Sequence, residues 1–94
     1  MEGVLWYLLA SSRGAKTRVR LLRALEHRPQ NANQLSNALE MDYSTIRHHL
    51  KILVENNILQ SAGNGYGEVY LFTEQAKQNW DTVEQILNTV EGEE

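Results

Sequence analysis

The stretch Asp42–Asn57, DYSTIRHHLKILVENN, limits the possible folds more than any other part of this chain. It holds no helix breaker, and Asp42 stands where an N-cap is wanted, so it predicts a helix. On a helical period Ile46, Leu50 and Leu53 share one side, flanked by Val54 and Tyr43. Ser44, His48, Lys51 and Glu55 fall opposite, with Arg47 on the flank. Such a helix buries one stripe and presents small polar and basic groups near its N-terminal end. The major groove of duplex DNA accepts that arrangement, because the first turns of a reading helix reach the base edges. A surface helix with a solvated face has the same pattern, so the neighbouring segments must decide.

Upstream, Ala15–Glu26 reads as a helix with Leu21, Leu22 and Leu25 on its apolar side, and Pro29 ends it. Asn31–Leu39 is a short helix opened by an N-x-x-Q capping pattern, Asn31 with Gln34. Glu40 and Met41 turn the chain into the helix at Asp42, and two helices joined by so short a turn form a helix-turn-helix. Downstream, Asn57 is suited to a left-handed C-cap. Ile58–Ser61 and Glu68–Phe72 then read as strands around the turn Ala62–Gly67, AGNGYG. The fold class expected is mainly α with a small β-hairpin: a single winged helix-turn-helix domain over residues 1–94.

The termini carry the remaining apolar surface. Residues 3–11, GVLWYLLAS, are apolar nearly all round, and a second copy of the chain is their expected cover; burial within the chain is the alternative. A third reading makes the chain a fragment whose start once adjoined a membrane segment. A final helix capped by Thr73 places Ala76, Trp80, Val83, Leu87 and Val90 at spacings of 4, 3, 4 and 3, a seam suited to another helix. Residues 1–12 and 74–90 are therefore the expected dimerisation helices of a homodimer.

Charge is unevenly placed. Ser11–Lys51 carries eight basic against three acidic side chains, whereas Ile52–Glu94 carries one against eight, within a net charge of −3. The positive half surrounds the helix at Asp42, as a nucleic-acid footprint requires. Arg13, Lys16, Arg20 and Arg23 form a stripe that faces either phosphates or the acidic half. Cysteine is absent, which excludes disulfides and makes a reducing cytoplasm the simplest location. The longest apolar run, Val4–Ala10, is seven residues, too short to span a bilayer.

Leu39–Leu59, LEMDYSTIRHHLKILVENNIL, resembles the recognition segment of ArsR-like winged helix-turn-helix transcriptional regulators. The likeness is greatest to the small archaeal members, whose first core helix opens much like Arg13–Leu25, and it runs from about Arg13 to Thr73. The resemblance implies a homodimer that places the segment matching 43–56 in the major groove of double-stranded DNA, brings the wing to the neighbouring backbone, and pairs through its terminal helices. Three positions depart from the family pattern. Glu40 replaces the usual turn glycine, Asn56-Asn57 replaces Ala-Gly, and no Lys or Arg occurs from Ile52 to Ala76, where family wings carry a basic tip.

Arg47 is the leading candidate DNA contact, able to fork onto guanine or hold a phosphate; pairing with Asp42 or Glu40 is its structural alternative. Ser44, Thr45, His48 and Lys51 are further candidates, Tyr43 either brackets the backbone or packs, and Tyr66 is a wing contact beside the Gly63, Gly65 and Gly67 amides. His49 is expected to be a partly buried structural histidine. Many relatives sense metals, but a chain without Cys, whose His48 and His49 diverge on a helix, has no family-type ligand set. No cofactor, catalytic group or small-molecule effector is legible, and the chain reads as a non-enzyme. The rival reading is a winged-helix protein-interaction module, favoured by the bare wing and the acidic half.

Overall fold

The computed structural model describes residues 1–63 and 67–93. Among these residues six α-helices and one hairpin follow in the order α1 (Glu2–Trp6), α2 (Ala15–His27), α3 (Ala32–Leu39), α4 (Tyr43–Glu55), β1 (Leu59–Ala62), β2 (Val69–Phe72), α5 (Glu74–Gln78) and α6 (Trp80–Gly92). Between α1 and α2 the chain winds one wider, π-helical turn over Tyr7–Ser11. There the Ser12 amide donates to Tyr7 O at 2.8 Å instead of to Leu8 O. The freed Leu8 carbonyl accepts from Arg18 Nε at 2.9 Å.

Two helix ends are closed by the same left-handed device. After α3, Glu40 takes φ 55° and ψ 48°; its amide donates to Asn37 O, and that of Met41 to Ser36 O. After α4, Asn57 takes φ 64°, with its amide on Val54 O and the Ile58 amide on Leu53 O. Both are Schellman endings. Glu40 thus adopts the conformation that a turn glycine would supply, at the cost of the clash between Cβ and the backbone. The capping box of α3 forms as read, with Gln34 N on Asn31 Oδ1 at 2.7 Å and Asn31 N on Gln34 Oε1 at 2.9 Å. Asp42 precedes α4, but its side chain makes no cap hydrogen bond, contrary to expectation. What remains for that carboxylate is the weaker attraction to the helix N-terminus.

The strands pair antiparallel with Leu59 opposite Phe72 and Ala62 opposite Val69, so β1 runs one residue later than the sequence indicates. A contact that no local pattern announces ties the hairpin down. The Tyr70 amide donates to Gln30 O at 2.8 Å, and Gln30 Nε2 donates to Ala24 O. Arg28, before Pro29, is extended at φ −172°, which brings Gln30 alongside β2. Thr73 joins hairpin to helices: its hydroxyl donates to Asn57 O at 2.7 Å and accepts from Ala76 N at 3.0 Å.

Leu21, Leu22, Leu35, Ile46, Leu50 and Leu53 form the centre of the core, each fully buried. Full burial of a side chain of this size contributes about 1.5–3 kcal/mol. The N-terminal stripe is covered within the chain: Leu5, Leu8 and Leu9 are buried, and their segment packs on α2 and α6. The final seam is consumed the same way, with Val83, Leu87 and Val90 inside, and Asn79 divides it into α5 and α6. Each terminal segment is the apolar partner the other lacked. Val4 and Tyr7 stay exposed on α1 and the wide turn, at 43% and 62%.

Candidate nucleic-acid interface

The helix at Tyr43 buries Ile46, His49, Leu50 and Leu53 and turns Tyr43, Ser44, Arg47, His48 and Lys51 to the outside. Thr45 is half-buried. Tyr66 lies outside the described residues. A groove of about 520 Å³ runs between α4 and the hairpin, with Ser44, Arg47, His48 and Lys51 on one wall and Ser61 and Tyr70 on the other.

Arg47 sits at the head of that groove. Its guanidinium carbon is 5.9 Å from the Tyr43 ring centroid, within cation–π range, and Nη1 lies 3.5 Å from the phenolic oxygen. Its charged form is favoured first by Tyr70 and then by Tyr43; burial opposes this, and the Glu68 carboxylate adds the smallest favourable contribution. These neighbours come from α4 and the base of the wing, and not from Asp42 or Glu40. A second cleft of about 340 Å³ places Arg47, Tyr43, Glu68 and Tyr70 beside Asn31 and Asn33 at the start of α3. Tyr70 donates to Glu68 Oε1 at 3.0 Å. Burial pushes its phenol up and the Glu68 hydrogen bond adds to this, while Arg47 opposes it.

The basic stripe of α2 divides. Arg23 binds Glu26, Glu84 and Glu91 at 2.7, 2.9 and 2.8 Å, and Asn88 besides, so it faces the acidic half and not solvent phosphates. These bonds hold its guanidinium far above its ordinary range and the Glu91 carboxyl below its own. Arg20 donates to Leu39 O at 3.1 Å. Arg18 leaves the surface altogether at 3% exposure, with Nη1 3.3 Å from His49 Nδ1. His49 is the structural histidine expected from its position. Burial, then Arg18 and His48, hold its pKa below the ordinary value.

Sequence reading missed Glu68, Tyr70 and Asn33 as parts of this surface. For Tyr70 a signal existed, since in a two-residue period it shares the inward face with Phe72. Nothing in the sequence placed Glu68 beside Arg47, because that proximity is set by how the hairpin packs against the helices.

A helix-turn-helix whose second helix lies beside an attached β-hairpin defines a winged-helix protein. The family described as "bacterial regulatory protein, arsR family" matches residues 15–61, half of the chain, and the protein belongs to that family of transcriptional regulators. Solved structures share the fold at low identity. The adhesin competence repressor AdcR of Streptococcus pyogenes superposes with a TM-score of 0.65 at 19% identity, over 92% of this chain and 66% of its own. A probable transcriptional regulator from Pseudomonas aeruginosa gives 0.65 at 18%, over 93% and 70%. A MarR family protein from Bacillus stearothermophilus gives 0.64 at 13%, over 98% and 62%. The chain therefore spans about two thirds of the length of these proteins. No curated protein sequence matches it significantly. Among the described residues no helix is long and apolar enough to cross a membrane.

Proposed function

We propose that this regulator binds double-stranded DNA sequence-specifically as a homodimer, with residues 43–56 in the major groove. The observation that carries the reading is the outer edge of α4. Tyr43, Ser44, Arg47, His48 and Lys51 emerge together from a helix whose other side is locked in the core. Rigid support of this kind is what base readout requires, because a helix free to rock cannot hold a bidentate contact. Arg47 reads a base edge or grips a phosphate, Ser44 and Thr45 serve the first turn, and His48 and Lys51 follow the backbone. Tyr66 and the glycine amides of the wing are the contacts proposed on the adjoining strand. Residues 1–12 and 74–90 form the dimer contact, with exposed Val4 and Tyr7 as the apolar surface left after intrachain packing. Each α4 then reads one half-site, about 34–36 Å from the other.

A second reading, a protein-docking winged helix, is favoured by one feature. Glu68 lies beside Arg47 in a wing without Lys or Arg, so part of the surface offered to DNA is anionic. Fluorescence anisotropy on duplexes from the gene's own upstream region separates the two. A DNA-binding dimer gives a steep fall in affinity with salt and two chains per site. A folded protein that leaves these duplexes unbound at low salt belongs to the second reading.

A further inference from the structure

We propose, resting on the DNA reading above, that the wing residue Glu68 makes Arg47 a reader of guanine instead of a clamp on phosphate, and so sets how strongly the protein prefers its own site over other DNA. A guanidinium can fork onto the O6 and N7 acceptors of guanine or grip a phosphate, and its own shape suits both. The choice between them falls to what surrounds it. The same carboxylate that favours a protein-docking module then has a use on DNA.

Arg47 and Glu68 line one cleft of about 340 Å³, completed by Tyr43, Tyr70 and the start of α3 at Asn31 and Asn33. Two features there attract anions: the Arg47 guanidinium and the N-terminal end of α3, positive through its dipole. By themselves they would make a seat for phosphate. Glu68 is the one acidic residue of the lining among those described, and it offsets them. Its carboxylate is held in place, because Tyr70, only 6% exposed, donates to Oε1 at 3.0 Å. The Tyr70 amide is itself fixed on Gln30 O. Arg47 does not neutralise this carboxylate. Among the described residues the ion pairs are those of Arg23, and the side-chain hydrogen bond of Arg47 is the long 3.5 Å contact with the Tyr43 phenol. The guanidinium therefore keeps its donors for DNA while facing a cleft that already holds an anion.

A phosphodiester gripped by Arg47 brings its charge into the cleft that Glu68 lines. Like charges a few ångströms apart at a protein surface repel enough to lower affinity about tenfold. A guanine edge is neutral and escapes that repulsion. Nearby cations do little to compensate. No Lys or Arg occurs from Ile52 to Ala76. Arg18 is buried, Arg20 donates to Leu39 O, and Arg23 is held by Glu26, Glu84 and Glu91. Sequence-independent binding is built from phosphate contacts, so a surface this short of free cations binds random DNA weakly. What it gains on its own site comes from base edges met by α4.

The test uses the full chain, a duplex carrying the site it selects from a random library, and a scrambled duplex of equal length. Fluorescence anisotropy at one salt concentration gives both affinities. Glu68→Gln, which keeps the shape and removes the charge, is expected to bind the scrambled duplex about tenfold more tightly and the selected one no more than about twofold, so the preference falls about fivefold. Selection repeated with this variant relaxes at the guanine that Arg47 reads. Glu68→Asp, which keeps the charge, retains most of the preference. In an Arg47→Ala background, Glu68→Gln changes the ratio by less than about twofold, whereas a general repulsion between wing and DNA would act there undiminished. Equal strengthening on both duplexes, the same change without Arg47, or a selected site with no guanine that depends on Arg47 would each overturn the proposal and leave DNA binding standing. Wild-type protein that selects no site at all would overturn both.

Discussion

Glu40 offers a clean measure of how the helix-turn-helix is bent. A non-glycine residue at φ 55°, ψ 48° carries about 1–2 kcal/mol of steric cost. Replacing it with glycine removes that cost but gives back about 0.4–1 kcal/mol through the freer unfolded chain. The side chain is exposed and makes no hydrogen bond among the described residues, while the turn is held by the backbone bonds of Glu40 and Met41. A second effect must be separated, because a carboxylate at the C-terminal end of α3 opposes the helix dipole by about 0.3–1 kcal/mol. Glu40→Ala removes the charge and keeps the Cβ; Glu40→Gly removes both. The expected order of stability is therefore Gly above Ala above Glu, with the Gly–Ala step about 0.5–1 kcal/mol. Urea unfolding at fixed protein concentration reads that difference from the midpoint at constant slope. Thermal midpoints should rise about 2–6 °C for that step in a domain of this size. A glycine variant no more stable than the alanine variant would refute the argument that the turn demands a left-handed residue.

Gly14→Ala should act in the opposite direction. It combines a positive φ with a Cβ 2.6 Å from His49 Cε1, a loss of about 2–4 kcal/mol from left-handed strain and overpacking, readable in the same urea assay. His49 makes stability pH-dependent. Its folded pKa lies below the unfolded value of about 6.5, so the unfolded chain binds the extra proton first. The contribution is complete above that pH and declines as pH falls below it; His49→Gln should flatten the decline seen in unfolding midpoints between about pH 7 and pH 5. Arg23→Ala should cost only about 1 kcal/mol, because its partners are largely exposed, and most of that difference should vanish at about 1 M salt.

The parts of the fold legible in the sequence were those written in adjacent residues. Asn31 and Gln34 cap α3, Asn57 turns left-handed after α4, and β-forming residues flank a glycine-rich turn; in each case local chemistry and final structure coincide. Ile46, Leu50 and Leu53 show their burial through spacing alone. Side-chain partners distant in the chain were not legible. Arg18 enters the sequence only as one of eight basic residues between Ser11 and Lys51, and its buried place depends on the carbonyl that the wide turn at Tyr7–Ser11 frees for it. The terminal apolar stripes read as interface because periodicity reports that a face is covered, not by which chain; here Leu5, Leu9, Val83 and Leu87 cover each other's segments. On the interface surface, α4 could be drawn from its pattern and the inward face of Tyr70 from the alternation of β2, whereas Glu68 entered only with the folded hairpin.

The central claim, that α4 reads bases in the major groove through Arg47, is tested most directly by selecting preferred sites from a random duplex library. Wild-type protein and Arg47→Ala are compared at one salt concentration. The expected result is a two-fold symmetric site for the wild type. For the variant, affinity falls by about 1–3 kcal/mol, and preference is lost at one base pair in each half-site while the other positions keep theirs. A site preference unchanged by Arg47→Ala, or a uniform loss across all sequences, would contradict base readout by this residue.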